Sequence, residues 1–164
     1  MLPMPAPNPE AAAFTPVQKS AWAGFLRTHS VVTRSLSAAL EDEHRLTINE
    51  FEVLLCLSLN DRLRLSDLAA QVNLTPSGMS GMVNRLTRRG LVARCTCPGD
   101  ARVGYLELTQ AGTDLFEVAC DAHVRRVQSW FLAHFTDAEQ RTLAQLWTRF
   151  ETGTDPGAQS TPAR

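Results

Sequence analysis

The chain has 164 residues, 44% of them hydrophobic and 20% charged, with a net charge of −1. That length holds one domain with a true apolar core but not two of ordinary size. No apolar run reaches the roughly 18 residues of a membrane span, and the opening MLPMPAPNPEAAAF lacks the basic and continuously apolar regions of a secretory signal, so a cytoplasmic location is expected.

Met1 to Ala13 carries Pro3, Pro5, Pro7 and Pro9 and little to pack, and reads as a tail. Thr15-Pro16 pairs a capping hydroxyl with proline at the first helical position, so a helix is expected to begin there and to run to about Glu41. Trp22, Phe25, Leu26, His29, Val32, Leu36 and Leu40 recur at three and four, a long stripe that needs a partner surface. Thr47 and Glu50 form a capping box for a second helix from Ile48 to about Leu59. Ser66 is expected to cap a short third helix, Asp67 to Val72.

Asn73-Leu74-Thr75-Pro76 is a turn followed by a second Thr-Pro start, and the fourth helix runs from Pro76 to about Arg89, where Gly90 stops it. Leu91 to Cys97 and Arg102 to Leu108 are strand-like and flank a turn at Pro98-Gly99-Asp100, which makes a hairpin. Thr109 caps a fifth helix predicted to reach His134, with Leu115, Val118, Ala119, Val124 and Val127 among its apolar positions. Thr136 and Glu139 form another capping box, and the last helix carries Leu143, Leu146, Trp147 and Phe150 to about Glu151. Gly153 to Arg164 reads as a second tail.

Short helix, turn, helix and hairpin in that order make a winged helix-turn-helix, so the fold class is mainly α with a small β-hairpin wing. In the fourth helix Met79, Met82, Val83 and Leu86 fall inward; Ser77, Ser80, Gly81, Asn84, Arg85 and Arg88 fall outward. Ser77, Gly78, Ser80 and Gly81 are poor helix formers, but they allow close approach to a major groove. Asn84 and Arg85 have the chemistry to read base edges, whereas Ser77 and Arg88 suit phosphates. Arg102, oriented by Asp100, suits the minor groove. From Asp61 to Arg102 seven arginines stand against three aspartates, a net +4 inside a chain of net −1.

Other chemistry finds little support. Cys56 and Cys120 read as small core residues, and Cys95 and Cys97, two apart on one strand, are badly placed to bridge each other. His29, His44, His123 and His134 are scattered, and no metal cluster, phosphate loop or nucleophile-base set can be placed, so no cofactor and no enzyme activity is expected. Two alternatives to this reading of a DNA binder stay open: a winged-helix protein-interaction module, and a thiol-responsive regulator using Cys95 and Cys97.

The segment LRLSDLAAQVNLTPSGMSGMVNRLTRRGLVARCTCPGDARVGYLELTQAG, Leu63 to Gly112, resembles the winged helix of the MarR family of bacterial transcriptional regulators. The matching features are the wing pair Asp100 and Arg102, the GLV at Gly90–Val92 and the LT-x-x-G at Leu108–Gly112. The helix layout extends the likeness from Phe14 to Glu151. The resemblance implies a homodimer on a palindromic double-stranded DNA operator, acting in transcription. It divides the chain into a tail (1–13), a dimerisation helix (14–46), a DNA-binding lobe (47–108), C-terminal dimerisation helices (109–152) and a tail (153–164). It also implies repression relieved by a small phenolic or other aromatic anion, with Trp22, Phe25, His29, Phe51, Glu52 and Arg94 as the pocket. Trp22 and Phe51-Glu52 match the urate-responsive branch, except that Glu52 replaces an aspartate. Ala101 stands where the family's wing usually has arginine, Cys95 and Cys97 stand where charges are common, and no cysteine before Cys56 matches the peroxide-sensing members.

Overall fold

The computed structural model describes residues 14–72, 74–97 and 100–153; for Thr96, Cys97, residues 100–103 and Gly153 it describes the backbone only. The expected tails, Asn73 and the Pro98-Gly99 turn lie outside the described residues. The chain divides into two compact units between Ser35 and Leu36.

The first unit holds most of α1 (Pro16–His44). Thr15 accepts from the Gln18 backbone N–H at 3.2 Å and Gln18 returns a contact to the Thr15 N–H at 2.9 Å, so the Thr-Pro start works as a reciprocal cap. Trp22 stacks on Phe25 at 5.7 Å, and Phe25 meets His29 at 6.0 Å, one rung per turn. Val17, Trp22, Leu26 and Val31 are all exposed.

The second unit begins with the last turns of α1, which end three residues later than predicted. Arg45 takes φ 55° and the Leu46 N–H reaches back to the Leu40 carbonyl at 3.2 Å. This is a left-handed helix stop without the usual glycine, held because Leu46 is fully buried just after it. Helix α2 (Ile48–Ser58) starts at the expected capping box, both of whose bonds are formed. A two-residue strand, β1 (Leu63–Arg64), was not legible: it has neither length nor alternation and exists through pairing with another strand. Ser66 is not the cap of α3 (Leu65–Gln71); Arg64 occupies that position but its side chain does not cap the helix and reaches the Tyr105 hydroxyl, and the Ser66 hydroxyl turns to Asp67.

Helix α4 (Pro76–Arg88) opens with Thr75 accepting from the Gly78 N–H, and Gly90 at φ 72° lets the chain reverse after it. Strands β2 (Val92–Cys97) and β3 (Asp100–Leu108) form the hairpin, and β1 adds to its far side in the antiparallel order β1-β3-β2. Leu63 faces Leu106, Arg94 also faces Leu106, and the register shifts between Thr96 and Cys97. Asp100 therefore belongs to β3 rather than to the turn.

Thr109 caps α5 (Gln110–Trp130), which stops four residues short of the expected end; a 3-10 turn at Leu132–His134 precedes α6 (Asp137–Gly153). Val118 and Val124, expected on the apolar side of α5, are exposed; Ala119 is buried as expected, and Phe116 and Ala122 join it. Leu54, Leu68, Met79, Leu86 and Leu106 are, with Leu46, the largest fully buried side chains among the described residues, so α2, α3, α4 and the sheet share one core. Cys56 and Cys120 sit at its margin, half-buried, rather than within it.

Candidate nucleic-acid interface

The site follows from how α4 is held. Met79, Met82, Val83 and Leu86 are buried, as predicted, which turns Ser77, Gly81, Asn84 and Arg88 outward along one stripe. Ser77, Asn84, Arg85 and Arg88 are exposed; Ser80 is half-buried. The α3–α4 turn is closed by the Leu74 N–H on the Ala69 carbonyl at 3.0 Å. Small residues from Ser77 to Gly81 leave the N-terminal half of α4 without bulk on its outer face.

The polar groups of α4 are already partly engaged. The Arg94 guanidinium, on β2, donates to the Asn84 side-chain Oδ1 at 3.0 Å, and Arg88 Nε donates to the Asn84 backbone carbonyl at 3.3 Å. Arg85 Nε lies 3.5 Å from Glu50 Oε1, and an Arg89 terminal nitrogen lies 3.5 Å from Glu50 Oε2. The Glu50 side chain is only 7% exposed, so two arginines one helical turn apart balance a buried carboxylate. Arg85 itself is half-exposed and keeps donors on the open side.

Among the residues singled out from sequence, Ser77, Ser80, Asn84, Arg85 and Arg88 thus share one helix. Asp100 and Arg102 lie on β3, and their side chains fall outside the description. Of the expected pocket residues in the second unit, Phe51 is buried, its ring 4.7 Å from His123 and 5.7 Å from Phe116, while Glu52 is half-buried. Arg94 points to Asn84 instead of Phe51. Burial, and secondarily the charge of Glu52, push the Cys56 thiol up and make it less reactive. Cys95 is half-buried opposite Tyr105.

Sequence reasoning missed Glu50 and Arg89 as a functional pair with Arg85. Glu50 had been assigned to capping, which it also performs through the Thr47 N–H at 3.1 Å. The available signal was the spacing of Arg85 and Arg89, which puts both on one side of α4. Among the described residues no group of three metal-ligating side chains converges, and no helix is long and apolar enough to cross a membrane.

Known proteins share this arrangement. The MarR family model matches residues 46–103. An HTH-type transcriptional repressor of Mycobacterium bovis is 32% identical over 125 residues, covering 75% of this chain and 88% of the relative. An HTH-type transcriptional regulator of Bacillus cereus is 30% identical over 104 residues, 63% of this chain and 69% of the relative. The chain belongs to the MarR family. As a MarR-family protein it is a DNA-binding transcriptional regulator, not an enzyme. The crystal structure of the MarR-family regulator AbsC from Streptomyces coelicolor aligns with a TM-score of 0.79 and 26% identity, over 87% of this chain and 97% of AbsC. Sco3205 from the same organism, crystallised with DNA, aligns with a TM-score of 0.80 at 24% identity, over 91% and 94% of the two chains, and so shares the fold.

Proposed function

We propose that the chain is a homodimeric repressor that inserts α4 into the major groove of a palindromic operator and lays the β2–β3 hairpin along the neighbouring minor groove. The observation that carries this is the division of α4: a buried Met79–Leu86 face and an outward stripe of Ser77, Asn84 and Arg88 beside Arg85. Asp100 and Arg102 are assigned to the wing contact because β3 carries both next to the hairpin turn. Repression is the activity named for the Mycobacterium relative. A second copy accounts for Trp22, Leu26 and Val31 on α1 and Leu146 on α6, large apolar side chains that face solvent in one chain. Two copies related by a two-fold axis present two recognition helices to half-sites about one helical turn apart.

The test is binding to random duplex DNA across a salt series, followed by sequencing of the retained fragments. Arg102→Ala is expected to weaken binding to all sequences and to lower the salt slope by about one. Arg88→Ala, another phosphate contact in this reading, behaves the same way. A parent-like affinity and slope for both variants would remove these residues from the interface.

An effector reading rests on the Trp22–Phe25–His29 ladder, whose exposed rings suit stacking by a flat aromatic anion. Phe51 is committed to His123 and Arg94 to Asn84, so in a single chain these two contribute less than their positions in the sequence suggest. Quenching of tryptophan fluorescence by salicylate or urate tests this; no quenching beyond that of Trp22→Phe argues against the ladder.

A further inference from the structure

The geometry points to Asn84 and Arg94 acting as one donor-rich reading head, in which Arg94 makes the recognition helix select guanine where an unassisted asparagine would select adenine. The inference rests on α4 lying in the major groove. A lone asparagine suits adenine because its Oδ1 accepts from the N6 amino group while its Nδ2 donates to N7. Here Oδ1 already accepts from the Arg94 guanidinium at 3.0 Å. Guanidinium has five N–H donors and no acceptor, so the amide orientation is chemically fixed: oxygen toward Arg94, Nδ2 away. Oδ1 keeps a second lone pair, but an adenine amino group bonded to it would sit beside the guanidinium, donor next to donor.

The backbone around the head has the same bias. The Asn84 main-chain carbonyl accepts from Arg88 Nε at 3.3 Å, so arginine engages both acceptor oxygens of this residue. Donors therefore predominate: Asn84 Nδ2 and the N–H groups of Arg94 not given to Asn84. Asn84, Arg88 and Arg94 are all exposed, so the head is open to a groove. Of the four bases, guanine alone offers two adjacent acceptors there, N7 and O6. Arg94 is held for the task by β2, whose backbone pairs it with the buried Leu106. It is a positioning and specificity-determining residue on the wing strand, outside the recognition helix.

The experiment is selection from randomised duplex DNA by the full-length parent, Arg94→Ala and Asn84→Ala, with sequencing and competition binding on the selected sites. Thermal melting of each variant verifies folding; both side chains are exposed. The parent is expected to favour guanine over adenine about tenfold at one position in each half-site. Arg94→Ala should move that position, and no other, to adenine, and Asn84→Ala should weaken its guanine preference. Equal weakening by Arg94→Ala on every sequence, with guanine retained, would reduce Arg94 to a phosphate contact and overturn the proposal. Adenine selected by the parent at the position that Asn84→Ala alters would overturn it too, leaving the DNA-binding reading intact. A parent that retains no duplex at low salt overturns both.

Discussion

His123 shows how one side chain can tie stability to pH. Its ring stacks on Phe51, and its Nδ1 is buried without a hydrogen-bond partner among the described residues. Burial, and then the charge of Arg126, push its pKa below the ordinary imidazole value of about 6.5. The folded state therefore holds this ring neutral where the unfolded chain would protonate it. The sign follows: the contribution is complete above about 6.5 and is lost as pH falls through the lower folded value. Melting temperature is expected to drop on acidification through that window, and His123→Phe, which keeps the stack and removes the titration, should flatten the drop. An unchanged acid limb in the variant would assign the loss to other groups. None of this was visible in the sequence, where His123 was one of four scattered histidines; its neighbours come from two helices far apart in the chain.

At the scale of elements, the joint between α2 and α4 is electrostatic as well as apolar. Glu50 caps its own helix and meets Arg85 and Arg89 of the other, so one carboxylate sets the position of α2's first turn against the last turn of α4. Glu50→Gln keeps a side chain able to cap but removes the charge. It is expected to cost about 1–2 kcal/mol in urea unfolding, because two arginines lose their buried counter-charge. A midpoint equal to the parent's would mean that solvent already screens the pair. Elements with local signals were legible: Thr47 with Glu50, Thr75-Pro76, Gly90, and Thr136 with Glu139 each announced a boundary through a cap or a glycine. Boundaries set by tertiary contacts were not. The α1 stop at Arg45 lacks a glycine and depends on the burial of Leu46, β1 depends on β3, and the early end of α5 carries no residue that announces it.

For the whole molecule, the exposed apolar side chains of α1 and α6 argue that the folded unit in solution is larger than one chain. Trp22→Glu and Leu146→Arg, on separate helices, are each expected to shift sedimentation toward the monomer and to weaken operator binding at least tenfold, since two half-sites would no longer be held together. A dimer that survives both changes would place the interface elsewhere. The sequence carried the family and the two faces of α4 because those depend on local spacing, Met79 to Leu86 inward and Ser77 to Arg88 outward. It did not show the partners of Arg85 and Arg94, Glu50 and Asn84, because a side chain's partner across the fold leaves no periodic trace. The root of the hairpin has a consequence of its own. Thr109 donates its N–H to the Leu91 carbonyl at 3.1 Å and its hydroxyl to the Gly90 carbonyl at 2.6 Å, and a Cβ on Gly112 would stand 2.0 Å from the Leu91 oxygen. The start of α5 is thus riveted to the main chain of Gly90 and Leu91, just past the end of α4. A push along α5 is delivered to the end of α4 through a rigid mechanical linkage that repacking of the core side chains would leave in place.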